Sequence, residues 1–178
     1  MTMWVLDDGP FGELAFQFDA AWAWPASCLH VVGEVAKLAD LDRSQRRRRL
    51  LDMSSGGTPS IEVHQIQVGS PASDMLYTHL RRDSVDATEN LGEHASIAFC
   101  ARVAPEAVFV PADKKAAFLA LAELGPGRVV TPFDLWAHLH RSGFITRAQF
   151  TVLCERTVKG GALPGVPLRF VPRPQATR

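Results

Sequence analysis

Four carboxylates stand where a metal-dependent hydrolase needs them. Asp7 ends the apolar run Trp4–Leu6, Glu34 lies within LHVVGEVAKLA, Glu93 opens NLGEHASIAFCAR, and Asp113 follows the run Val108–Val110. Carboxylates that share one pocket repel each other, which raises their pKa values unless a cation fills the space. An all-oxygen donor set suits a hard divalent ion, Mg2+ or Mn2+, able to activate a water and steady the leaving oxygen of a phosphodiester. The chemistry indicated is metal-dependent phosphodiester hydrolysis. Each acid also has an ordinary structural role: Asp7 as a turn cap, Glu34 as a solvated helix residue, Glu93 as a partner of a helix dipole and Asp113 as an N-cap.

The elements that must gather these acids are short strands alternating with helices. Strands are expected at Trp4–Leu6, within 61–68, at 107–110 and at 128–130. Helices are expected over 11–23 and 28–41, from Ser70-Pro71, over 91–103 and Lys114–Leu124, from Thr131-Pro132, and over 144–158. Such alternation predicts a parallel sheet with right-handed crossovers, hence an α/β fold, a three-layer α/β/α sandwich with a short central parallel sheet. In a parallel sheet the ends of neighbouring strands lie about 5 Å apart, so acids on them and on adjoining helix starts converge. A single domain over 1–158 is expected, with a Pro-rich tail over 159–178 that carries Pro164, Pro167, Pro172 and Pro174. Residues 42–49 and 54–59 read as polar connections.

The ordered pieces VLDDGPFGELA, LHVVGEVAKLA, NLGEHASIAFCAR, VFVPADKKAAFLALAELG and RVVTPFDLWAHLHRSGFI resemble successive blocks of the PIN-domain family, over most of the chain between Trp4 and Ile145. The resemblance implies a metal-dependent endoribonuclease acting on RNA. In it Asp7, Glu93 and Asp113 hold Mg2+ or Mn2+ and Glu34 orients the attacking water. It further implies the toxin of a toxin–antitoxin pair, with an antitoxin protein as partner, and a homodimer. Pro111 and Ala112 stand where many members carry Thr and another polar or acidic residue. This departure keeps a non-catalytic PIN-like interaction module as the alternative. A phosphatase with an aspartate nucleophile would need an acid two residues after Asp7, where Gly9 stands.

Other residues carry two readings each. Arg43 and the run Arg46, Arg47, Arg48, Arg49 could grip RNA phosphates or form a solvated face. Arg81, Arg82, Lys114 and Lys115 could steady a scissile phosphate or do nothing specific. Ser96 shares a helical face with Glu93, where a small residue also serves close packing. His30, His64, His79, His138 and His140 show no metal-binding spacing, and only His94 lies beside a candidate acid. Cys28, Cys100 and Cys154 sit among apolar neighbours, as buried thiols do, without the clustering of a zinc site. The stretch from Ser54 to Thr58 lacks the lysine of a phosphate-binding loop, while Trp22 and Trp24 flank Pro25 as a core or partner surface.

Charge sets the outer limits of function. Nineteen basic and 19 acidic residues cancel to a net +0, so any nucleic-acid contact must be local rather than spread over the surface. A basic leader before an apolar run is missing, as is any stretch of about twenty apolar residues, and the expectation is a cytoplasmic protein without a membrane partner.

Overall fold

The computed structural model describes residues 2–17, 28–55, 58–82, 86 and 88–160. Trp22, Trp24 and the tail from residue 161 lie outside them. At the centre is β1 (Trp4–Leu6), buried along its whole length. It is flanked by β2 (Leu29–Val32) and, on its other side, by β6 (Val108–Val110), with β5 (Glu62–His64) beyond β2. All pairings in this four-stranded sheet are parallel, with Trp4 opposite both Leu29 and Val108. Val129 adds a single parallel bridge to Phe109, which is all that remains of the strand expected at 128–130. The fold is therefore α/β on a short parallel sheet.

Helix α6 (Leu91–Arg102) packs on β1, β2 and β6, and every residue from Glu93 to Cys100 is buried. A helix enclosed on all sides cannot show an apolar stripe, so small residues such as Ala95, Ser96 and Ala98 replace amphipathic periodicity. Around it gather α2 (Gly33–Ala36), α5 (Pro71–Asp74), a π-helical turn (Met75–Leu80) and α7 (Lys114–Leu124). A second group rests on α1 (Asp8–Gln17), which contacts β1, α4 (Arg46–Asp52) and α9 (Arg147–Lys159), with α8 (Pro132–Arg141) against α9. The short α3 (Leu38–Leu41) joins α2 to α4, and β3 (Ser54–Ser55) and β4 (Thr58–Pro59) form a small antiparallel pair.

Local chemistry fixes the helix starts. Ser70 accepts from the Ser73 N–H with Pro71 at the first position, and Thr131 and Asp134 cap each other reciprocally, as do Thr146 and Gln149. The last of these begins α9 three residues later than the 144 expected. Between residues 28 and 41 the structure corrects the expectation of one helix. The segment LHVV is a strand buried on both faces, and such a run has no period that separates it from a buried helix turn. Of the expected strand over 61–68 only three residues pair, and the polar stretch after Asp42 contains α4. Among the described residues no helix is long and apolar enough to cross a membrane.

Candidate functional site

Asp7 occupies the single residue between β1 and α1. Its N–H donates to Val110 O (3.1 Å), prolonging the β1–β6 ladder by one bond, and its carbonyl accepts from the Phe11 N–H (3.1 Å), the first bond of α1. Its carboxylate accepts from two backbone N–H groups, Oδ1 from Asp8 (2.8 Å) and Oδ2 from Ala112 (3.0 Å). Burial nevertheless pushes its pKa up to about 6; the two hydrogen bonds oppose the shift and the charges of Asp8 and Asp113 add to it.

Glu93, in the first turn of α6, is also buried, and its Oε1 makes no hydrogen bond among the described residues. Burial raises its pKa to about 7, reinforced by the charges of Asp7 and Asp113 and opposed by Lys115. Asp113 is exposed at the start of α7, where its Oδ1 accepts from the Ala116 N–H (2.9 Å) as an N-cap. The fold thus brings Asp7, Glu93 and Asp113 within electrostatic reach of one another, from three chain segments.

Glu34 arrives by another route. It lies in the first turn of α2, directly after β2, rather than in the middle of a long helix. Its Oε2 is buried without a hydrogen bond among the described residues, and its Oε1 is 3.9 Å from Lys37 Nζ. The starts of α2 and α6 meet closely: a Cβ on Gly92 would come within 2.9 Å of Val35 Cγ2. That junction tolerates only glycine at 92 without adjustment, and Glu34 is not among the charges that act on Glu93, which are those of Asp7, Asp113 and Lys115.

A cleft of about 320 Å³ opens beside Asp113, lined among others by Gly9, Glu13, Ala112, Pro132 and Arg156; Asp7, Glu34 and Glu93 are not part of its lining. Arg156 pairs with Glu13, and its guanidinium lies 3.6 Å from the centre of the Phe16 ring. Neither Glu13 nor Arg156 stands out in the sequence, because 143 residues separate them.

The other basic residues are mostly engaged. Arg47 pairs with Asp8 (2.9 Å) and approaches Asp42 (4.0 Å), Arg48 pairs with Asp40, and Arg46 lies 4.4 Å over Phe16. Arg81 is buried and donates to the carbonyls of Glu89 (2.5 Å) and Asp86 (2.6 Å), so it fastens the approach to α6. His94 lies beside it, with its pKa lowered by burial and by the Arg81 and Lys115 charges. Ser96 Oγ donates to Gly92 O (2.9 Å) and is fully buried, the packing role. All three cysteines are free thiols, with burial raising the pKa of each.

Histidines without metal-binding spacing in the sequence are gathered by the sheet. His30, Glu62 and His64 come together through the β2–β5 pairing, with one ligand atom of each within 4.8 Å of the others. A spacing of 34 residues hides this from any short motif.

Comparison with protein-family profiles, with characterised proteins and with solved structures returns no match for this chain.

Proposed function

We propose that this chain is a PIN-like, metal-dependent endoribonuclease of three-layer α/β/α architecture that hydrolyses RNA with Mg2+ or Mn2+ held by Asp7, Glu93 and Asp113. The observation that carries the reading is the buried pair Asp7 and Glu93, both with raised pKa values, which Asp113 further disfavours as anions. Such mutual repulsion is relieved by a hard cation, and the buried Oε1 of Glu93 offers it an oxygen. The donor set fits the ion in chemistry: carboxylates, without thiol or imidazole. A divalent ion bound there supplies positive charge against the oxygens of a scissile phosphodiester.

The remaining work falls to the chain. The Ala112 and Asp8 N–H groups fix the Asp7 carboxylate in one orientation, which spares reorganisation during reaction. Glu34, with one oxygen buried and unbonded, orients the attacking water and takes its proton. Arg156 lines the cleft beside Asp113, where its guanidinium suits a phosphate of a single strand. The reading extends to a cytoplasmic protein under the control of an antitoxin.

A second reading, the non-catalytic interaction module, is favoured by one fact: Asp113 is already committed as an N-cap, and the residues before it are Pro111 and Ala112. Calorimetric titration of Mn2+ into wild-type protein, Asp7→Asn and Asp113→Asn separates the two. Asn also caps helices, so Asp113→Asn removes the charge while keeping the helix start. The nuclease reading expects saturable binding in wild type, lost in both Asp7→Asn and Asp113→Asn, with Mn2+-dependent cleavage of single-stranded RNA lost in parallel. Absence of Mn2+ binding and cleavage in folded wild type overturns it in favour of the module.

A further inference from the structure

The parallel register sets His30 opposite Glu62 and Val32 opposite His64. Since side chains alternate along a strand, His30, Glu62 and His64 all project from one face of the sheet. His30 Nδ1 lies 2.9 Å from His64 Nε2 and 3.5 Å from Glu62 Oε2, and His64 Nε2 lies 4.0 Å from Glu62 Oε1. The two imidazoles are stacked, with centroids 5.1 Å apart, and His64 stacks in turn on Phe99 of α6 at 4.6 Å. Packing therefore aims two ring nitrogens and a carboxylate at one point from different strands.

We infer that His30, Glu62 and His64 form a binding site for a borderline divalent transition cation of the zinc class, separate from the acidic site. Two imidazole nitrogens and one carboxylate are the donors such ions prefer over Mg2+. Metal–nitrogen bonds of about 2.0–2.1 Å in a tetrahedral site separate the two nitrogens by roughly 3.3 Å, so the present 2.9 Å contact opens by only a few tenths of an ångström. The imidazole that donates in that contact carries its proton on its other nitrogen when the ion enters. Burial grades outward, from a His30 side chain 3% exposed through His64 at 21% to Glu62 at 47%. The fourth position thus faces solvent, beside a strand that pairs only with β2 among the described residues. The bound ion cross-links the three-residue β5 to β2, which couples its binding to stability.

Co2+ is the probe, because its visible absorption reports ligand type and geometry. Full-length wild-type protein is titrated with Co2+ in excess Mg2+, then with Zn2+ as competitor, alongside Glu62→Gln, His64→Gln and Asp7→Asn, each checked for folding by circular dichroism. The expected result is one saturable Co2+ site without a thiolate charge-transfer band, displaced by Zn2+, and a melting temperature raised by Zn2+. Affinity falls about a hundredfold or more in His64→Gln and about tenfold in the half-exposed Glu62→Gln, and is retained in Asp7→Asn. No Co2+ binding by wild type, wild-type affinity in folded His64→Gln and Glu62→Gln, a thiolate band, or loss of binding in folded Asp7→Asn each overturns the site. The last two outcomes assign the ion to a cysteine or to the acidic cluster, so the proposal stands or falls independently of the nuclease reading.

Discussion

The backbone N–H of Ala112 donates to Oδ2 of Asp7 at 3.0 Å, joining residues 105 positions apart. The same two segments are tied a second time by the Asp7 N–H on Val110 O. The exit of β6 is thereby clasped against the turn from β1 into α1. Gly9 makes the clasp sterically feasible, because a Cβ there would meet Ala112 Cβ at 2.8 Å.

Gly9→Ala is accordingly expected to destabilise the fold by about 1–3 kcal/mol, the range for overpacking a tight contact. Urea denaturation measures the loss. The double variant Gly9→Ala/Ala112→Gly removes the opposing methyl and should recover most of it; strictly additive losses would contradict the contact as its cause.

Burial of acids makes stability fall as pH rises. The folded carboxyl of Glu93 titrates at about 7 against 4.5 when unfolded, so the folded state holds its proton more tightly than the unfolded chain does. Its contribution is complete below the unfolded value and is lost as pH climbs through about 7, and Asp7, moved from 3.8 to about 6, has the same sign. Glu93→Gln should flatten this decline and leave the metal-free variant about 2 kcal/mol more stable than wild type at alkaline pH. Denaturation midpoints across pH 4–8 in chelator check it, and an unchanged slope would mean that Glu93 is solvated.

Arg128 closes the far end of α6. Its guanidinium donates to the carbonyl of Cys100 (2.6 Å) in the last turn of α6 and to those of Ala104 (3.0 Å) and Ala107 (3.3 Å) in the connection to β6. Arg128→Met should cost about 2–3 kcal/mol, since the buried Cys100 and Ala107 carbonyls lose a charged donor together while Ala104 O keeps the Ala107 N–H. Arg128→Lys, with one compact donor group, should recover part of that in the same thermal or urea melts.

Arg156 offers a probe of the cleft that leaves the acids untouched. Its ion pair with Glu13 is partly exposed, so Arg156→Gln should change stability by less than about 1 kcal/mol. If the cleft receives RNA, the variant binds single-stranded RNA more weakly, with a salt dependence reduced by about one released counterion. Fluorescence anisotropy at several salt concentrations measures both quantities.

The sequence by itself determined what depends on a few neighbouring residues. Ser70-Pro71 and the reciprocal Thr131–Asp134 cap announce their helices because they satisfy backbone groups within three positions. The apolar runs ending at Asp7 and preceding Asp113 likewise announce β1 and β6, and with them two acids at adjacent strand ends. Tertiary structure alone decided the rest. LHVV became a strand because β1 and β5 accept its backbone on both sides, and no local period distinguishes that outcome from a helix. Asp7 and Glu93 acquired their raised pKa values from burial against charges on other segments, and His30 met His64 only through the register of two strands. Burial and close charge contacts are properties of partners as far as 143 residues away, which is why the chain's spelling reveals the acids while their electrostatic coupling emerges only on folding.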